Sequence, residues 1–180
     1  MAVPDEEGDT AFLSRIAVIL LLAFIIVLIA KWPQIWPAAP SNGTTSEWDV
    51  INITVAGRNI TVYYADTVDK MSEGYKYKNN YDFSGKGAVG ILFPLYKLGT
   101  TRVCFTMRDV NLNLILVVAR RTSRDYTIEE KIYMPKGSSD TCIDTSNPLL
   151  KYETIAIEID PSKTDLFPVG TVITLPPDLR

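Results

Sequence analysis

The sequence predicts a mainly β (α+β) protein: a compact antiparallel β-barrel or sandwich-like domain with one short helix, preceded by a single transmembrane helix. Three observations carry this. An uncharged apolar run of fifteen residues, Ile16–Ala30, lies near the N-terminus. From residue 50 onward, about eight short stretches alternate apolar with polar residues or run apolar between turn signals. The period changes to a helical one only over 65–78. The chain divides accordingly into an acidic tail (1–10), the transmembrane helix (11–32), a Pro/Ser/Thr-rich linker (33–48) and a β-rich domain (49–180).

The membrane segment comes first. A helix over 11–32 rises about 30 Å, one hydrocarbon thickness. Arg15 and Lys31 stand where side chains snorkel, and Trp32 and Trp36 where an aromatic belt is expected. A buried core helix is the bland alternative, and length and flanks favour the span. A cleaved signal peptide needs a positive start, yet this one reads PDEEGD, and no small-x-small site follows the run. Positive-inside counting ties at one charge per side. Three N-x-[ST] sequons, at Asn42, Asn52 and Asn59, and both cysteines lie beyond the helix, which favours an N-terminus inside and residues 41–180 outside.

The elements of the domain follow in order. In DVINITVAGRNITVYY, Ile51, Ile53 and Val55 alternate with polar residues, Gly57-Arg58 supplies a turn, and Ile60, Val62 and Tyr64 resume the alternation. This is a hairpin with one apolar face. In ADTVDKMSEGYKYK, Asp66 or Thr67 caps a short helix carrying Val68, Met71 and Tyr75. Strands are expected over 87–93, 101–107, 112–120, 126–134, 153–160 and 170–175, with a polar loop at 135–150. Arg108-Asp109 begins the tight connection between the adjacent strands 101–107 and 112–120.

Composition limits the chemistry. The chain has no histidine, two cysteines, and a net charge of −3 without a basic stripe. Histidine-based nucleophile systems, histidine zinc sites and four-cysteine clusters are excluded. No phosphate loop or dinucleotide fingerprint occurs, so no cofactor and no metal is expected, and nucleic acid is not an expected partner. An even cysteine pair in an oxidising compartment reads as a structural disulfide, Cys104–Cys142, worth roughly 4 kcal/mol by chain entropy. Arg120-Arg121-Thr122-Ser123-Arg124 is the densest positive cluster, readable as a contact for an anionic headgroup or as a charged hairpin loop. Eight of nine tyrosines fall between Tyr63 and Tyr133, where they suit ligand contacts or core packing.

The order ADT…SEGYKYK…GILFPL…CFTMRDVNLNLILV…YETIAIEI…VGTVITL resembles the domain-of-unknown-function 192 family over about residues 50–176. Ser72–Lys78 stands at the family's Gly-Leu-Met-x-Arg type motif, and Gly90-Ile91-Leu92-Phe93 at its Gly-Met-Leu-Phe strand. Phe105–Val110 stands at its Phe-Trp-Met-Lys-Asn-Thr turn. Thr106, Asn113 and Ile115 replace the family's tryptophan, proline and aspartate. The resemblance implies a compact β-rich fold and no activity. It places Asp66, Glu73, Arg108 and Asp109 in or beside its motifs, as a candidate interaction site against the bland reading of caps, a solvated face and a turn.

The expected role is a membrane-anchored extracytoplasmic binding or interaction module, an accessory subunit whose partners are the lipid bilayer and other membrane or envelope proteins. Two rivals remain: a structural subunit of a filament or homo-oligomer, and a carboxylate-based glycan-acting enzyme. The absence of nucleophile and metal motifs weighs against an enzyme.

Overall fold

The computed structural model describes residues 47–145 and 153–179. The expected tail, the helix over 11–32, Asn42 and nearly all of the linker lie outside the described residues. Among the described residues no helix is long and apolar enough to cross a membrane.

Nine strands are present among these residues: β1 (Val50–Val55), β2 (Arg58–Tyr64), β3 (Gly90–Phe93), β4 (Arg102–Phe105), β5 (Leu114–Arg121), β6 (Tyr126–Met134), β7 (Thr141–Asp144), β8 (Thr154–Ile159) and β9 (Val172–Thr174). One α-helix, α1 (Val68–Glu73), lies between β2 and β3. Seven strands close a barrel in the order β1-β2-β3-β8-β5-β6-β9, while β4 and β7 form a separate two-stranded sheet. Every barrel pairing is antiparallel except β2–β3, which is parallel and has α1 in its crossover. The barrel closes where Thr54 pairs with Thr174 and Val55 with Ile173.

Strand alternation divides the core in two. Ile53, Val62, Leu92, Val117, Tyr126, Ile157 and Ile173, one from each barrel strand, belong to one buried cluster, the barrel interior. The alternate residues Tyr63, Ile91, Phe93, Leu116, Val118 and Ala156 face the other way. They are buried too, because Tyr75, Phe105 and Ile143 pack over them. Strands β3 and β8 are therefore buried on both faces. Trp48, expected in the linker, belongs to this outer layer, set edge-on against Phe83 at 5.4 Å and Tyr63 at 6.1 Å.

Three expectations are corrected. The first hairpin turns at Ala56-Gly57, with Val55 opposite Arg58, and both turn residues have positive φ. Positive φ at both central residues marks the type I′ turn, whose twist matches the flanking strands. Strands β4 and β5 follow in sequence but do not pair: β4 joins β7, and β5 lies between β6 and β8. Asp109, at φ 63°, lets the chain leave one sheet for the other. The polar loop at 135–150 contains β7, which the disulfide partner Cys142 holds against β4.

Gly90 is fixed by contact. A Cβ there would lie 2.3 Å from the Glu158 carbonyl oxygen, so only glycine lets β3 approach β8 this closely.

Candidate functional site

A cavity of about 300 Å³ opens between the outer face of the barrel and the elements that cover it. Its wall is mostly apolar, with Met71 from α1, Phe93 from β3, Leu95 and Leu98 from the turn after β3, and Val103 and Phe105 from β4. Sequence explains the arrangement. Helix α1 begins at Thr67, whose hydroxyl accepts from the Lys70 amide, and ends at Gly74 with φ 48°. Gly74 also brings the end of the helix against the barrel: a Cβ there would sit 3.4 Å from Glu158 Oε2.

Glu158 is the chemical centre of this cavity. It lies on β8, on the same face as Ala156, opposite Ile91 of β3 and Leu116 of β5. Its side chain is buried, and Oε2 has no hydrogen-bond partner. Burial pushes its carboxyl up to about 8, and Lys76, which also lines the cavity, pulls only partly the other way. At neutral pH the group is therefore mostly a neutral acid, able to donate one hydrogen bond and accept others. Tyr75 lies beside it, its hydroxyl donating to the Tyr81 carbonyl at 3.1 Å, and burial holds its phenol well above the ordinary range.

The four candidate interaction residues do not converge. Glu73 lines the cavity and is ion-paired with Lys78. Asp66 instead pairs with the buried Lys70 at 2.9 Å, and that hydrogen bond holds its carboxyl below the usual range despite partial burial. Lys70 also reaches Asp49 at 3.3 Å, so this group braces the base of α1. Asp109 accepts from the Tyr77 hydroxyl at 3.2 Å, and its carbonyl accepts from the Tyr77 amide. Arg108 is exposed on the same turn. The arginine cluster is largely committed, Arg120 to Glu129 at 2.9 Å and Arg121 to Glu153. Of the described tyrosines, Tyr63, Tyr64, Tyr75 and Tyr126 are buried in the core and Tyr81 and Tyr96 pack against it, with Tyr63 stacking on Phe83 at 4.2 Å.

Cys104 and Cys142 form a disulfide across the β4–β7 pair, with Cα atoms 4.0 Å apart. Both are exposed, and Cys104 borders the cavity. The sequons at Asn52 and Asn59 lie on the exposed side of the first hairpin. Among the described residues no cluster of three or more potential ligands could hold a metal.

Sequence reasoning missed Glu158. In TIAIEI it shares a face with Ala156, and alternation alone puts that face in water. The signal available was β8's unusual apolar density, the mark of a strand buried on both sides.

No family model matches the chain, and no curated protein matches it. Two solved structures share the fold. One is from Sinorhizobium meliloti 1021 and is described as a candidate transcription regulator. It is 16% identical, with TM-score 0.53, over 72% of this chain and 95% of that one. The other, a protein of unknown function from Novosphingobium aromaticivorans DSM 12444, is 17% identical, with TM-score 0.52, over 76% and 93%. At these identities the likeness is one of fold.

Proposed function

We propose that this protein is a membrane-anchored extracytoplasmic binding module, related to the domain-of-unknown-function 192 family, whose cavity takes a small ligand. One observation carries the ligand-binding part: an apolar cavity holds a buried carboxyl, Glu158, with no partner for Oε2. A few polar groups on an apolar wall are the usual make-up of a ligand site, and an unsatisfied buried oxygen costs stability that a bound partner would recover. The anchor rests on the apolar run Ile16–Ala30 with its flanking Arg15, Lys31, Trp32 and Trp36. Thr106 lines the cavity at the position where the resembling family carries tryptophan, so this chain has space there.

The test uses the full chain in lipid nanodiscs with 13C-methyl methionine. Met71 lines the cavity and Met134 lies elsewhere in the core. Titrated indole should move the Met71 methyl saturably and leave Met134 in place. Thr106→Trp should abolish the shift while the remaining spectrum keeps its dispersion. Equal movement at both methyls, or none at Met71, rejects the cavity as a site.

A second reading has one observation in its favour: two carboxyl side chains, Glu73 and Glu158, line the same cavity, and Glu158 holds its proton at neutral pH as a general acid must. Turnover of an aryl glycoside that disappears in Glu158→Gln would establish it, and no turnover over a broad panel would remove it.

A further inference from the structure

We propose that the cavity receives a small zwitterion, an α-amino acid with an apolar side chain, its ammonium on Glu158 and its carboxylate on Lys76. This rests on the ligand-binding reading above and names the class of ligand.

Two opposite groups line the same cavity without meeting. Glu158 is buried and its Oε2 has no hydrogen-bond partner. Lys76 feels Glu158 electrostatically, yet no ion pair within 4.0 Å joins them. Nor does an ion pair within 4.0 Å join Lys76 to any other acidic side chain among the described residues. An acid and an ammonium that line one mostly apolar cavity without pairing match a molecule that carries both complements on one carbon.

Each simpler ligand leaves one group unanswered. An amine alone would bring a positive charge toward Lys76 with nothing to offset it. A fatty or aromatic acid alone could answer Lys76 and accept from the Glu158 hydroxyl, but brings no donor for Oε2. A neutral hydrocarbon would leave both polar groups desolvated and unpaired. The zwitterion gives each a charge-assisted hydrogen bond. Its side chain then lies against Met71, Phe93, Leu95 and Leu98. A volume of about 300 Å³ suits an amino acid and is at the lower end for ligand pockets, too small for a lipid or an oligosaccharide.

The experiment keeps the full chain in nanodiscs and the Met71 methyl as readout, and compares four probes: L-leucine, leucinamide, 4-methylpentanoate and indole. L-leucine is expected to shift Met71 saturably, with leucinamide and 4-methylpentanoate each weaker by about ten-fold or more, the usual loss for one charged hydrogen bond. Glu158→Gln and Lys76→Met should each weaken L-leucine by a similar factor while indole still moves Met71, which shows the variants folded. Leucinamide or 4-methylpentanoate binding as well as L-leucine overturns the zwitterion. So does indole binding without any response to L-leucine, an outcome that leaves the cavity reading intact. Silence from all four probes removes both.

Discussion

Thr61 donates its hydroxyl to the Asn52 side-chain oxygen at 2.9 Å across the β1–β2 hairpin. Two pairs further along, Thr54 donates to Asn59 at 3.1 Å. Asn52-Ile53-Thr54 and Asn59-Ile60-Thr61 are the two described sequons, so each sequon's threonine is bonded to the other's asparagine. In-register pairing of Asn52 with Thr61 and of Thr54 with Asn59 makes this possible. The folded hairpin therefore withholds the hydroxyl that a glycosylating enzyme would need free, so any modification of these two sequons is expected to precede hairpin closure. Mass spectrometry should show no glycan added to the folded protein by an oligosaccharyltransferase in vitro, and addition to the unfolded chain. Equal modification of both forms would refute the coupling.

Ala56 carries φ 50° in a turn that asks for positive φ at both central residues. Asparagine is favoured there and alanine is strained. Ala56→Asn should raise stability by about 0.5–1 kcal/mol, read as a higher denaturant midpoint at unchanged slope. A lower midpoint would mean that the turn tolerates alanine at no cost.

Glu158 sets a pH dependence of known sign. Folded, it keeps its proton to about pH 8; unfolded, it loses it near the ordinary 4.5. Between these values the folded state binds more protons, so stability falls as pH rises through the window and levels off above about 8. The loss is at most about 1.4 kcal/mol per pH unit. Tyr75, Glu73 and Lys76 also line the cavity, and of these Tyr75 stays protonated throughout. Asp66 and Asp82 act in a separate window. Asp82 is partly buried, but bonds from Tyr63 and the amides of Gly87, Lys86 and Ala88 outweigh that and hold its carboxyl low. Both aspartates contribute stability that is lost only as pH falls below the usual carboxylate range. Glu158→Leu should flatten the profile between pH 5 and 8 and be the more stable protein at pH 8, as replacing a buried charge by an apolar side chain often is. Parallel profiles for the two proteins would show that Glu158 is solvated.

The exposed disulfide joins two strands that lie outside the barrel. Reduction should lower the melting temperature by several degrees, corresponding to about 2–4 kcal/mol. Because Cys104 borders the cavity, reduction should also broaden the Met71 methyl resonance more than that of Met134. An unchanged melt, with two alkylatable thiols before any reductant is added, would exclude a structural bridge.

Local features were legible in the sequence and non-local ones were not. The hairpin of β1 and β2, a helix cap at Asp66 or Thr67 and the strands β5, β6 and β8 all announce themselves over a few residues, and the structure places the cap at Thr67. Strand β7 did not, because TCID has one large apolar side chain, Ile143, and owes its conformation to pairing with β4. The turn at Ala56-Gly57 was placed one residue late because alanine is a poor marker of positive φ. Of the four candidate interaction residues only Glu73 reached the cavity. Asp66 and Asp109 serve the framework, and Glu158 was hidden because burial of a strand's second face depends on what is laid over it.

The closure of the barrel has a consequence for how the chain is made. Strand β1, the first of the described strands to emerge from the ribosome, has β9, the last of them, as one of its two neighbours. Its outer edge therefore stays unpaired until almost all of the domain has been synthesised, with Thr54 and Val55 still waiting for Thr174 and Ile173. An edge open for that long invites pairing with another chain. Truncation by even a few residues at the C-terminal end of β9 would leave a barrel with a permanent seam.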